Sequence, residues 1–140
     1  MDDFERIYST FDGVAQLREH RQRTQSFLKD LIGVLHILDR MCQFEPSEAV
    51  TAVRDRMEQA LGHYGVREIP CEGEPFDPAL HEADSRRVDT TVPPGTVVDA
   101  LARGFKWNDE LLIAPRVVVA IHDATNLKHN EEENNDNHRN

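Results

Sequence analysis

Apolar side chains recur along the first third of the chain at Leu28, Leu31, Leu35 and Leu38, with Cys42 next. Steps of three and four make the 3.5-residue repeat of a coiled-coil or helix-bundle seam. Phe27, Ile32, Val34, Ile37 and Met41 widen the stripe, which suits a bundle helix packed against more than one neighbour. Upstream, Phe4, Ile7, Phe11 and Val14 repeat the same steps, and the polar stretch REHRQRTQS (18–26) separates the two runs. The pattern predicts one helix over about 3–42. Its weak point is Asp12-Gly13, because a mid-helix glycine costs about 1 kcal/mol relative to alanine. Forty helical residues span about 60 Å, more than a 140-residue monomer can bury. The seam therefore implies a partner, most simply a second copy.

Glu45-Pro46-Ser47 reads as a helix start, with proline in the first turn. Val50, Val53, Met57, Leu61 and Tyr64 mark a second amphipathic helix over about 46–63, which Gly62 and Gly65 stop. Two such hairpins pairing would make a four-helix bundle. Near residue 65 the chain changes character, and short Val- and Thr-rich runs replace the helical spacing. VREI (66–69) and SRRVDTT (85–91) are candidate strands. TVVDALAR (96–103) and ELLIAPRVVVAI (110–121) are two more, joined through GFKWND with Asn108-Asp109 as the tight turn. Pro93-Pro94-Gly95 is a turn, and Pro115 marks an edge or bulge. The expected class is α+β. A helical dimerisation region of long paired helices and a four-helix bundle (1–64) precedes a small all-β domain (65–122). A disordered polar tail, DATNLKHNEEENNDNHRN (123–140), closes the chain.

Charge and composition narrow the functions. Charged residues make up 30% of the chain, and the mean hydropathy is -0.60. The formal net charge of -10 argues against nonspecific nucleic-acid binding, which needs clustered cations. The basic run LREHRQR (17–23) reads as a solvated helix face. No apolar run approaches the roughly 18 residues of a membrane span, and MDDFERIYST does not read as a signal peptide. Cys42 and Cys71 form neither a disulfide framework nor a CxxC pair, so a reducing, cytoplasmic setting is expected.

One stretch invites a chemical reading. GEPFDPALHEA (73–83) ends in His81-Glu82 with an acid on either side. A zincin helix needs two histidines one turn apart, but position 85 is Ser and Pro78 interrupts any helix. The expectation is a turn starting at Asp77-Pro78, with His81-Glu82 in a short helical turn before the next strand. The seven histidines fall without ligand spacing. No GxSxG, phosphate-cradling loop or CxxC is present, so no catalytic or metal site and no cofactor are expected.

Taken in order, FLKDLIGVLHILDRM (27–41), HYGVREI (63–69), GEPFDPALHEA (73–83), PPGTVVDALARGFKWND (93–109) and VVVA (117–120) resemble GrpE, the nucleotide exchange factor of DnaK-type heat-shock chaperones. The likeness covers roughly residues 20–121. It implies a non-enzymatic, homodimeric co-chaperone of the stress response that docks a β-domain on the chaperone's nucleotide-binding domain and promotes ADP release. GEPFDPALHEA would then be the connector into the β-domain. Residues matching the family's partner-facing positions are Phe76, Pro78, Leu101 and Val119, with the turn residues Gly104 and Asn108. Plain β-core packing is the competing reading for Leu101 and Val119. The dimer seam would use Leu28, Leu31, Leu35 and Leu38. The chain departs from the family where arginines usually follow the Asn-Asp turn, for it carries Glu110 and Ile113. That departure keeps a second reading open, a GrpE-derived dimeric adaptor that has lost exchange.

Overall fold

The computed structural model describes residues 3–123. Most of the expected polar tail, from 124 on, lies outside the described residues. The chain divides into two compact units between residues 60 and 61, and each is described by itself.

The first unit is a pair of helices, α1 (Asp3–Phe44) and all but the last turn of α2 (Glu48–His63). No proline falls within α1, and its first turn carries Asp3 and Glu5, which complement the positive end of the helix dipole. The expected weak point at Gly13 does not break it. Thr10 and Thr24 donate their hydroxyls to the carbonyls of Arg6 (2.8 Å) and His20 (3.0 Å), so these weaker helix formers are satisfied in place. The helix closes with the amide of Glu45 bonded to Met41 O at 2.8 Å, and Pro46 cannot continue it. Ser47 then caps α2, its Oγ accepting from Val50 N at 3.1 Å. Pro46 therefore stands before the cap rather than inside the first turn, and α2 begins two residues later than its sequence suggested.

Leu28, Ile32 and Leu35 are the buried residues of α1. Cys42 Sγ lies 3.8 Å from Thr51 Oγ1 where the two helices meet. Leu31 and Leu38 are half-buried beside the buried residues. A second apolar row, Phe27, Val34, Ile37, Met41 and Phe44, is at least 40% exposed at every position. Its steps of seven, three, four and three continue one face of the helix. Phe4, Ile7, Tyr8, Phe11, Val14 and Leu17 are exposed as well.

The second unit contains two three-stranded sheets. Strands β1 (Val66–Glu68), β4 (Phe105–Trp107) and β5 (Glu110–Ile113) form one antiparallel sheet in the order β1-β4-β5. The other has β2 (Glu82–Val88), β6 (Arg116–Ile121) and β3 (Val97–Ala102) in the order β2-β6-β3, with β2 parallel and β3 antiparallel to β6. Two expectations change here. GFKWND is not merely a joint, because Phe105–Trp107 is itself a strand that hairpins with β5 through Asn108 and Asp109, both at positive φ. The run 110–121 is two strands in different sheets, divided at Ala114-Pro115. Pro115 cannot donate to a ladder, so the chain changes sheets there. Its ring is buried against Gly104, where a Cβ would overlap the proline nitrogen and Cδ and stand 2.8 Å from Ile113 O. Gly104 O also accepts from Ile69 N at 2.9 Å. Cys71, Val97 and Val117 form a buried cluster, with Phe76, Ala100 and Val119 packed on it.

Candidate functional site: apolar groups and the connector of the β unit

Three backbone hydrogen bonds hold the connector between β1 and β2 along the start of β3. Gly73 N bonds to Val97 O (2.8 Å), Val97 N to Glu74 O (2.9 Å) and Phe76 N to Gly95 O (2.8 Å). Gly95 has φ +88, and Thr96 N returns to Pro93 O at 3.2 Å, so the PPG segment is the glycine-dependent turn its sequence indicated. This pairing turns Phe76 onto the Cys71, Val97 and Val117 cluster.

Beyond Phe76, Asp77 organises a single helical turn. Its Oδ1 accepts from Ala79 N at 2.9 Å, and its carbonyl accepts from Leu80 N (3.0 Å) and His81 N (2.8 Å). His81 Nδ1 in turn accepts from Asp77 N at 3.0 Å. The ring is buried and lies 5.9 Å from the Phe76 ring, centroid to centroid. Glu82 is not part of the turn as expected, because its amide bonds to Pro115 O at 2.9 Å and starts β2. With Nδ1 accepting, the ring proton sits on Nε2, and the imidazole works as a latch on the connector. Among the described residues no group of three or more His, Cys, Asp or Glu is placed to hold a metal ion. Replacing His81 by Leu leaves the Asp77 amide without its acceptor, at a cost of about 1–3 kcal/mol. The urea midpoint of the β unit, read by fluorescence of Trp107, the single tryptophan, should fall accordingly.

The six candidate docking residues separate by environment. Phe76 and Val119 meet on one cluster, both half-buried. Pro78 is exposed at the connector's turn. Leu101 is 48% exposed. The pairing of β3 with β6 shifts between Val97 and Asp99 and again between Ala100 and Ala102. Leu101 is therefore the extra residue of a bulge, which aims a side chain out of the regular alternation. Gly104 and Asn108 are tied into the fold itself. Asn108 N bonds to Gly65 O at 3.1 Å, and its side chain lies over Gly65, whose φ is +86.

Three arginines of the β unit are committed to acids. Arg116 meets Asp84 at 2.8 Å, Arg87 meets Asp99 at 3.5 Å, and Arg103 meets Glu68 at 3.4 Å. Arg103 also stands 5.5 Å over the Phe105 ring. Burial, together with the nearby charges of Glu72 and Glu68, raises the Cys71 thiol above its ordinary pKa, so it stays a protonated core group. The Thr91 hydroxyl and amide both donate to Asp89 and hold its carboxyl below the usual range. No described helix is long and apolar enough to cross a membrane.

Fold and surface together define an α+β protein of two long helices and two small sheets, with large apolar side chains left uncovered on both units. The chain belongs to the GrpE family, whose sequence model matches residues 2–121. It is similar to the Protein GrpE of Thermoplasma volcanium, 32% identical over 99 residues that cover 71% of this chain and 55% of that one. It is 32% identical over 130 residues to the Protein GrpE of Thermus thermophilus, covering 84% and 72%. With that of Latilactobacillus sakei the identity is 35% over 102 residues, covering 69% and 52%. The chain thus spans about half the length of the Thermoplasma relative, 55%.

Proposed function

We propose that this protein is a homodimeric co-chaperone that docks on the nucleotide-binding domain of a DnaK-type chaperone and promotes release of ADP. The observation that carries the reading is the family match, which runs unbroken through both units. The exposed row Phe27, Val34, Ile37, Met41 and Phe44 supports the dimer, because an apolar helix face of this length calls for a partner. Leu101, aimed outward by its bulge, supports docking through the β unit, with Pro78 beside the connector's turn and Phe76 and Val119 backing the surface. The work is done by binding alone. A docked exchange factor opens the nucleotide cleft only as far as it binds the open state better than the closed one. By reciprocity, a nucleotide that favours closure expels the factor. The setting is cytoplasmic, with neither nucleic acid nor membrane as partner.

The test is release of a fluorescent ADP from the DnaK-type chaperone of the same organism, chased with excess unlabelled nucleotide. The full chain should accelerate release. Leu101→Ala should reduce the acceleration about tenfold, a loss of roughly 1.4 kcal/mol of differential binding, while leaving the dimer intact. A folded dimer that leaves the release rate unchanged would overturn the exchange function.

A further inference from the structure

In the sheet β1-β4-β5, Arg67 of β1 stands directly across from Lys106 of β4, and Lys106 directly across from Leu111 of β5. The row reads Arg–Lys–Leu over three strands. Side chains alternate between the two faces of a sheet. Val66, Phe105 and Leu112 are buried, whereas Arg67 is exposed, Lys106 is half-buried and Leu111 is 44% exposed. Directly opposed side chains are separated by about 5 Å at Cβ, and like charges at that spacing destabilise the pair. Neither acid of these strands is aligned with the row. Glu68 is aligned with Phe105 and bonds Arg103, and Glu110 is aligned with Trp107, off this row. A chain of net charge -10 thus places two cations opposite each other in register, beside a partly exposed leucine.

We propose that the row Arg67–Lys106–Leu111 is a docking site for an acidic, leucine-complementary segment on the surface of the chaperone partner. A carboxylate of that segment sits between the two cations, and an apolar side chain next to it covers Leu111. Charge complementarity selects the occupant. Only an anion relieves the repulsion within the row, and only a polypeptide segment supplies an apolar neighbour to go with it. The proposal rests on the co-chaperone reading above and adds a contact that the candidate residues on β3, β6 and the connector do not supply.

The experiment uses the full chain and the isolated nucleotide-binding domain of the same chaperone, with affinity measured at about 50 and about 300 mM salt. Wild type should bind more weakly at the higher salt. Arg67→Glu places a carboxylate opposite Lys106 and turns repulsion into attraction. It should raise the melting midpoint by about 1–4 °C, weaken binding at least tenfold, and flatten the salt dependence. Arg67→Lys should behave as wild type. A purely structural role cannot raise stability while lowering affinity. An Arg67→Glu protein that binds as tightly as wild type at both salts overturns this inference and leaves the co-chaperone reading standing. If Arg67→Glu changes self-association instead of chaperone affinity, the occupant is a second copy and the inference fails. A folded wild type that does not bind the domain overturns both readings.

Discussion

Gly104→Ala is expected to lower the stability of the β unit by about 3 kcal/mol, the upper range for forcing atoms into a filled core. Unlike the other large single-site losses, this one arises from one added methyl. The new Cβ overlaps the backbone nitrogen and Cδ of Pro115, and a ring fused to the main chain cannot swing aside as a flexible side chain would. Relief requires moving Pro115, whose carbonyl accepts from Glu82 N, or Gly104, whose carbonyl accepts from Ile69 N. Either shift strains a hydrogen bond that ties one sheet to the next part of the chain. Domains are stable by only about 5–15 kcal/mol, so the loss is large. The check is a urea titration followed by Trp107 fluorescence, with helix content followed separately by circular dichroism. The fluorescence midpoint should fall well below that of wild type. An unchanged midpoint would show that the sheet crossover yields without cost.

The second large effect separates the two apolar rows of α1. Ile32→Ala should cost about 3 kcal/mol, because Ile32 is fully buried and truncation leaves a cavity. Ile37→Asp should cost the isolated unit little, since Ile37 is 50% exposed. If the exposed row is the dimer face, however, a carboxylate there enters an apolar interface without a partner. The dimer dissociation constant should then rise about 100-fold or more, equivalent to roughly 2.7 kcal/mol. Sedimentation over a concentration series distinguishes the outcomes. Ile32→Ala should melt early yet still associate, and Ile37→Asp should stay helical yet run as a monomer. A dimeric Ile37→Asp protein would move the interface to another face.

The contrast between those two residues also marks what could be read from the chain. A helix of 42 residues repeats its period many times, so its existence and span were legible to within two residues. Which of its two apolar rows is covered was not. Leu28, Leu31, Leu35 and Leu38 make as good a seam on paper as Leu28, Ile32 and Leu35, and only the folded structure shows which positions are buried. Turns were legible where residue chemistry dictates φ, as at Pro93-Pro94-Gly95 and Asn108-Asp109. Val66–Glu68 was legible within VREI, whereas Phe105–Trp107, three residues inside GFKWND, is too short for an alternation to register. The run 110–121 read as one strand because both halves are apolar. The reason it divides lies in the close approach of Gly104 to Pro115, a contact between residues 11 positions apart. At the candidate site, the alignment of motifs picked out Leu101 without indicating the bulge that exposes it. The pairing of Arg67 with Lys106 depends on sheet register, which no local pattern carries.

The strand order β2-β6-β3 has a consequence for the birth of the protein. The middle strand of that sheet is the last of the described strands, and β2 and β3 each bond to β6. On the ribosome, where synthesis runs at about 5–20 residues per second, both outer strands emerge before the strand that joins them. The helices and the β4-β5 hairpin rest on contacts between near neighbours in sequence and can form as they appear. The second sheet must wait until Arg116–Ile121 has cleared the exit tunnel, and then it closes around β6. A chain interrupted before Arg116 would leave both outer strands without their central partner and mark itself as a target for the quality-control machinery.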